Sequence, residues 1–322
     1  MGGWRLERRP FRFRLPAALV TAHGALTERR GWLLRLQAPD GRIGWGEAAP
    51  LEAAALSSLP WSRAWAALES RADPAALEPL LPALPPALAF AIGAALAELA
   101  GAAGDGGSGW LAAPEPAWLL PSGSPLAALL ALPPRPPGLP FTIKWKVAVH
   151  PLSDELAWLE PLLALLPPQA RLRLDANGGW SRPQAAAWAE RLAGEERLEW
   201  LEQPLSPQDQ SGLEQLALRL PVALDESLRA DPSLRQRWPG WQVRRPALEG
   251  DPRPLLVALQ AGRARLMVST ALETGIGRRW VQHLAALQAR GPTPTAPGLA
   301  PGWTPDGPLF AADPATVWEA AR

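Results

Sequence analysis

The chain is 322 residues long and nearly balanced in charge, with 32 Lys+Arg against 31 Asp+Glu. The charges are mixed throughout, without a basic tail or stripe, which argues against nucleic acid as a partner. The absence of cysteine excludes disulfides and thiol chemistry and fits a cytoplasmic protein. The length suits one large barrel or two domains.

From the N terminus, residues 4–15 alternate Arg with apolar side chains, as a strand does. Arg5, Arg8, Arg9, Arg12 and Arg14 would interrupt the apolar core of a signal peptide. Gly31-Trp-Leu-Leu-Arg-Leu-Gln37 and Gly41-Arg-Ile-Gly-Trp-Gly-Glu47 bracket a turn at Pro39-Asp40-Gly41, a hairpin signal. Between the first two runs, Thr21-Ala-His-Gly-Ala25 reads as a mobile loop. Residues 51–104 are Ala/Leu-rich and helical in pattern, broken at 81–86. The run 87–104 carries Glu98 and reads as a buried helix, not a membrane span. Gly104-Asp-Gly-Gly-Ser-Gly109 reads as a loop or domain junction.

From about residue 117 short strand-like runs alternate with helical ones. The predicted strands are 141–147, 172–175, 198–202, 222–225, 241–245 and 266–269. The predicted helices are 153–166, 181–192, 211–218, a short one after 225, then 252–260 and 277–289. Ser211 with Glu214 forms a capping-box pattern, and Gly194 is a stop signal. Repeated strand–helix units imply a parallel sheet with crossover helices, and six or more favour closure into an α/β barrel. Reacting groups then sit at the C-terminal ends of the strands.

One strand stands out. Lys144 and Lys146 are the only lysines in the chain, and every other basic position is Arg. A surface cation can be either residue, but guanidinium stays protonated, whereas an amine can lose and regain a proton. Two apart on a strand, both lysines face the same way.

The polar residues at the six predicted strand ends are Lys146, Asp175, Glu202, Asp225, Arg245 and Ser269, each about one strand–helix unit from the next. All six should therefore meet at one mouth. Three converging carboxylates repel one another unless a cation neutralises them. Asp175, Glu202 and Asp225 offer hard oxygen ligands without His or Cys, which suits Mg²⁺ or Mn²⁺. Asn177 and Glu226 lie beside these ligands and are placed to orient them. Arg173, two before Asp175 on the same strand face, adds positive charge where a substrate would sit. The arrangement suggests proton abstraction next to the carboxylate of a small molecule. Lys146 is then the candidate base and Lys144 a contact to that carboxylate. The three histidines, His23, His150 and His283, offer no catalytic base, and His283 reads as structural.

Lys144-Trp-Lys146, Asp175-Ala-Asn177, Glu202-Gln-Pro204 and Asp225-Glu-Ser227 resemble the strand-end motifs of the enolase superfamily, in order and spacing. Gly44-Trp-Gly-Glu-Ala-Ala-Pro50 extends the likeness to the N-terminal part. Arg171-Leu-Arg-Leu-Asp-Ala-Asn-Gly-Gly-Trp180, Arg245-Pro-Ala-Leu248 and Ser269-Thr-Ala-Leu-Glu-Thr-Gly-Ile-Gly277 are similar to the o-succinylbenzoate synthase family of the cyanobacterial type. The resemblance implies an α/β fold: a modified TIM-like (β/α) barrel over 101–302, with an α+β capping domain over 1–100 completed by about 303–322. It implies dehydration of 2-succinyl-6-hydroxy-2,4-cyclohexadiene-1-carboxylate to o-succinylbenzoate, towards phylloquinone or menaquinone. Lys146 would be the base, and Asp175, Glu202 and Asp225 the metal ligands. Thr21 to Ala25 would close over the site, and Ser269, Thr270 and Glu273 would help hold the succinyl end. One position departs from the family pattern, which has Lys where this chain has Arg245. Two alternatives remain open: an N-acylamino acid racemase or dipeptide epimerase of the same superfamily, and a catalytically inactive metal-binding scaffold.

Overall fold

A computed structural model describes residues 3–21, 24–68, 71–103, 109–132 and 141–321. Three strands form an antiparallel sheet: β1 (Arg5–Thr21), β2 (Gly24–Gln37) and β3 (Ile43–Ala48). The turn expected at Pro39-Asp40-Gly41 is present, with Gly41 at φ 91° and the Gly41 N–H donating to the Ala38 carbonyl. Of the loop expected at residues 21–25, only Thr21, Gly24 and Ala25 are described, and they stand at the facing ends of β1 and β2. Thr21 ends β1 and pairs with Gly24 at the start of β2, while Ala25 pairs with Val20. The ladder from Arg5↔Gln37, shifted once between Arg14 and Leu19, runs out to Thr21↔Gly24. Ala22 and His23 lie outside the described residues, as do 104–108 of the expected glycine-rich junction.

The sheet packs against the helix Pro86–Leu99, most closely at two glycines. A Cβ at Gly44 would stand 2.1 Å from the Ala95 carbonyl oxygen, and one at Gly46 would stand 2.1 Å from that of Ala91. Glycine on the strand and alanine on the helix let the two backbones approach closely. The helix's other flank, through Phe90, Ala94 and Ala97, packs on Leu255, Leu266 and Trp280 of the following layers. It is buried all round, which explains its uniform apolarity.

Seven parallel strands follow: β4 (Trp118–Leu120), β5 (Thr142–Lys146), β6 (Arg171–Asp175), β7 (Leu198–Glu202), β8 (Val222–Leu224), β9 (Trp241–Arg244) and β10 (Leu266–Val268). They are hydrogen-bonded in sequence order. The extended residues 297–298 stitch the two edges together. The Ala117 N–H donates to the Pro297 carbonyl, Gly298 N–H to Val268, and Thr270 N–H to Gly298, each at 2.9 Å. No helix among the described residues is long and apolar enough to cross a membrane.

Helices occupy the predicted crossovers. Arg182–Arg191 is capped by a reciprocal Ser181–Gln184 box. The next helix, Gln210–Ala217, does not use the predicted Ser211–Glu214 box. Its cap is Asp209, whose carboxylate accepts from Gly212 N–H at 3.1 Å and thereby starts the helix earlier. Trp145, Trp180 and Trp188 fill the space between strands and helices, the last two stacked at 5.2 Å. Fully burying a large apolar side chain contributes about 1.5–3 kcal/mol. The C-terminal helix Pro314–Ala320 returns to the antiparallel sheet, where Val317 and Trp318 pack with Phe11, Leu33 and Trp45. His283, expected to be structural, accepts from Leu111 N–H through Nδ1 and packs on Trp110.

Candidate active site

Parallel register brings the predicted polar residues to one end of the sheet. Lys146 pairs with Asp175, and Asp175 pairs with Glu202. Asp225, Arg245 and Ser269 directly follow β8, β9 and β10. A small cavity, about 60 Å³, is lined there by Lys144, Lys146, Arg173, Arg245, Ser269 and Thr270. A larger hollow of about 640 Å³ opens at the N-terminal strand ends, among Val222, Gly240 and Trp241. It contains none of the clustered lysines and acids, so size does not mark the chemistry here.

The acids and bases hold one another. The Lys144 ammonium lies 2.9 Å from Asp175 and 2.8 Å from Glu202. Lys146 donates to Asp175 at 2.8 Å and to Asn177 Oδ1 at 2.5 Å. Arg245 donates to Asp225 through Nε at 3.0 Å and Nη2 at 2.6 Å, and through Nη1 to the Thr270 carbonyl at 2.5 Å. Asp175, Glu202 and Asp225 are all buried. Burial opposes the charge on Asp175, but Lys144 and Lys146 outweigh it and hold its pKa below the carboxylate range. Burial likewise opposes ionisation of Asp225, and Arg245 reverses the balance downward. Glu202 moves the other way: burial, then the charge of Asp175, raises it. Lys144 is raised because Asp175 and Glu202 overcome its burial.

Asp175, Glu202 and Asp225 are the donors that could hold a divalent cation. Among the described residues, no three such side chains already form a metal-gripping cluster. Each of the three acids is turned onto a lysine or arginine. The donor set still fits a hard cation, being all oxygen and at adjacent strand ends. One further acid stands beside them. Glu226 is pushed up to about 7 by burial, then by Asp225 and Asp175, and its Oε2 is buried without a hydrogen-bond partner.

Asn177, the only asparagine, has two reasons to be there. Its φ of 45° lies in the left-handed region that Asn tolerates. Its amide accepts from Lys146 and donates to Glu226 Oε1 at 3.1 Å, joining base to acid. Arg173 is fully buried over Trp200, 4.0 Å from the ring centre, and donates to Glu199, Thr295 and the Ala296 carbonyl. Its Nη1 is buried without a partner. Ser269 donates to the Gly298 carbonyl at 3.1 Å. Glu273 does not line the small cavity. It accepts from Thr270 Oγ1 at 2.5 Å and Ala271 N–H at 2.6 Å, bracing its own loop.

Several positioning groups escaped sequence reasoning. Gln203 is buried, and its Oε1 accepts from the Asp225 and Ser227 N–H groups at 3.1 and 3.0 Å, fixing the turn that presents Asp225. Glu249 accepts from the Arg245 N–H at 2.6 Å. Gln203 lies within a quoted motif, but only its buried carboxamide shows its task.

Residues 141–236 match the family described as enolase C-terminal domain-like. The o-succinylbenzoate synthase of Thermosynechococcus vestitus is 36% identical over 295 residues, covering 87% of both chains. That of Enterobacter sp. is 31% identical, covering 90% of this chain and 88% of the relative. The chain belongs to the o-succinylbenzoate synthase family. The crystal structure of the Thermosynechococcus elongatus BP-1 synthase, complexed with Mg in its active site, superposes on this family member with a TM-score of 0.77 at 31% identity. It covers 98% of this chain and 99% of that one. The Bacillus subtilis L-Ala-D/L-Glu epimerase shares the fold at a TM-score of 0.70 and 21% identity, covering 95% of this chain and 92% of that one. The chain is thus an enzyme of the synthase family, with an enolase C-terminal domain-like segment over residues 141–236.

Proposed function

We propose that the protein is a hydro-lyase that converts 2-succinyl-6-hydroxy-2,4-cyclohexadiene-1-carboxylate to o-succinylbenzoate and water, in the cytoplasm. The observation that carries this is the convergence of the only two lysines with three buried acids at adjacent strand ends, in a member of the synthase family.

In this reading Lys144 contacts the substrate carboxylate, and Lys146, as the neutral amine, takes the α-proton. As ammonium, Lys146 then returns the proton to the departing hydroxide, so that water leaves and the ring becomes aromatic. Asp175, Glu202 and Asp225 would hold Mg²⁺ or Mn²⁺, and Asn177 and Glu226 would orient them. When bound, the ion supplies positive charge against the enediolate. Arg245 gives the opposite side of the site a fixed cation and no base. This favours dehydration over two-base racemisation, which needs a proton acceptor on each face. Arg173, Ser269 and Thr270 face the substrate, and Glu273 shapes the loop behind it.

The test is incubation of purified protein with the cyclohexadiene and Mg²⁺, following o-succinylbenzoate. No product with either Mg²⁺ or Mn²⁺ would refute the reading.

A further inference from the structure

The helix Gly275–Ala289 begins where the loop lining the reaction cavity ends. The first N–H groups of any helix have no partner within it. Here Thr274 Oγ1 accepts from the Ile276 N–H, and the Gly277 and Thr274 N–H groups are met from far away in the chain. Glu47, on β3, accepts from the Thr274 N–H at 3.1 and 3.0 Å, from Thr274 Oγ1 at 2.6 Å and from the Gly277 N–H at 3.0 Å. The Glu47 side chain is buried, and each of these contacts is with a donor. A carboxylate at a helix N-terminus also opposes the positive end of the helix dipole.

Two glycines admit this arrangement. A Cβ at Gly277 would lie 2.8 Å from Glu47 Oε2, and one at Gly275 would lie 2.0 Å from the Ala311 carbonyl oxygen. The antiparallel sheet and the C-terminal segment therefore both seat on one helical turn.

The loop just before it is tied at both ends. At residue 270, Arg245 holds the Thr270 carbonyl at 2.5 Å. At residue 274, Glu47 holds the backbone and hydroxyl. In between, Leu272 sits at φ 64° and donates its N–H to Thr270 Oγ1 at 2.8 Å. A non-glycine residue in that region persists only where its surroundings enforce it.

We infer that Glu47 is a positioning residue: from the antiparallel sheet it fixes the first turn of Gly275–Ala289, and with it the loop that sets Ser269 and Thr270 against the substrate. The charged groups around it are Glu273 and, on β2, Arg29, whose guanidinium holds the Ala49 and Pro50 carbonyls at 2.7 and 2.6 Å. Burial, with a further contribution from Glu273, pushes Glu47 up to about 7. A bare packing role would be filled more cheaply by an apolar residue.

The inference rests on the synthase reading for its kinetic half only, so the test has two arms. In the first, amide hydrogen exchange is measured with Mg²⁺ present on wild type, Glu47→Gln, Thr274→Ser and Thr274→Val. Glu47→Gln should speed exchange at Thr274 and Gly277 by about tenfold or more, with amides of β5–β7 unchanged. In the second arm, Glu47→Gln should raise KM by about tenfold while kcat stays within about threefold, because Lys144 and Lys146 are untouched. Thr274→Ser, which keeps the hydroxyl donor, should follow wild type, and Thr274→Val should follow Glu47→Gln. Unchanged local exchange overturns the inference. So does exchange raised throughout the protein, or a fall in kcat at constant KM, since each marks general loss of fold. Should Glu47→Gln fail to fold, Thr274→Val against Thr274→Ser decides. A wild type without synthase turnover removes the synthase reading, and the exchange arm alone then decides this one.

Discussion

Arg245→Lys restores the residue of the family pattern and separates two tasks that the guanidinium performs together. In the structure Nε and Nη2 grip Asp225 at 3.0 and 2.6 Å, while Nη1 reaches the Thr270 carbonyl at 2.5 Å. A lysine has one nitrogen and cannot span both. Losing a hydrogen bond to a charged group costs about 1.5–3 kcal/mol, or roughly ten- to hundredfold in kcat/KM. The new amine, however, can accept a proton, which Arg245 cannot. Burial works against the guanidinium charge, but Asp225 more than compensates and raises its pKa further above the ordinary value. The assay offers each enantiomer of several N-succinylamino acids in deuterated water with Mg²⁺, alongside dehydration kinetics. Wild type should show no interconversion, with at most α-proton exchange at retained configuration from the Lys146 side. Arg245→Lys should dehydrate about ten- to hundredfold less efficiently and begin to interconvert enantiomers. Efficient racemisation by wild type would refute the reasoning. So would a variant that dehydrates as well as wild type, since the fork would then be idle.

Turnover should require a divalent metal, and Asp175→Ala, Glu202→Ala and Asp225→Ala should each abolish it; full activity in excess chelator would contradict this. Lys146→Arg should lower kcat by about 10²- to 10⁴-fold with an unchanged circular dichroism spectrum, because charge is kept and the base is lost. Lys144→Arg should be milder, and near wild-type turnover in Lys146→Arg would place the proton transfer elsewhere. Glu47 carries a pH signature: its pKa rises from 4.5 to about 7 on folding, so the native state holds a proton that the unfolded chain releases. Its contribution to stability is therefore most favourable below the unfolded pKa and declines as pH rises towards the folded one. In urea melts at about pH 5 and about pH 7.5, Glu47→Gln should decline less than wild type, by up to about 3 kcal/mol. Parallel declines would show that Glu47 does not titrate this way.

The barrel was legible because its signals are local. Each strand is a short apolar run ending in a polar residue, and each helix follows at a regular interval. The lysine pair was legible for a different reason: it stands out in a chain that uses Arg everywhere else, and the structure brings it against Asp175 and Glu202. What stayed hidden depends on distance in sequence. Glu47 and Thr274 are 227 residues apart, and nothing near either predicts the other. Asp209 displaced Ser211 as a cap because two overlapping patterns compete, and only geometry shows which carboxylate or hydroxyl reaches a free N–H.

The same limit applies to roles within the site. Sequence order assigned Lys146 to the proton and Asp175 to a metal, yet in the folded chain they bind each other at 2.8 Å. Lys144 shares the same Asp175 oxygen, at 2.9 Å. One carboxylate oxygen cannot serve two ammonium groups and a divalent cation at close range without large repulsion among the cations. Under the roles proposed above, Asp175 must release Lys146 when it takes the cation. Removing Asp175 should consequently disturb Lys146 even without metal. Amine reactivity of the two lysines towards a small acylating reagent, measured in chelator, should differ between wild type and Asp175→Asn. Identical labelling of both proteins would mean that this contact does not hold the amine in solution.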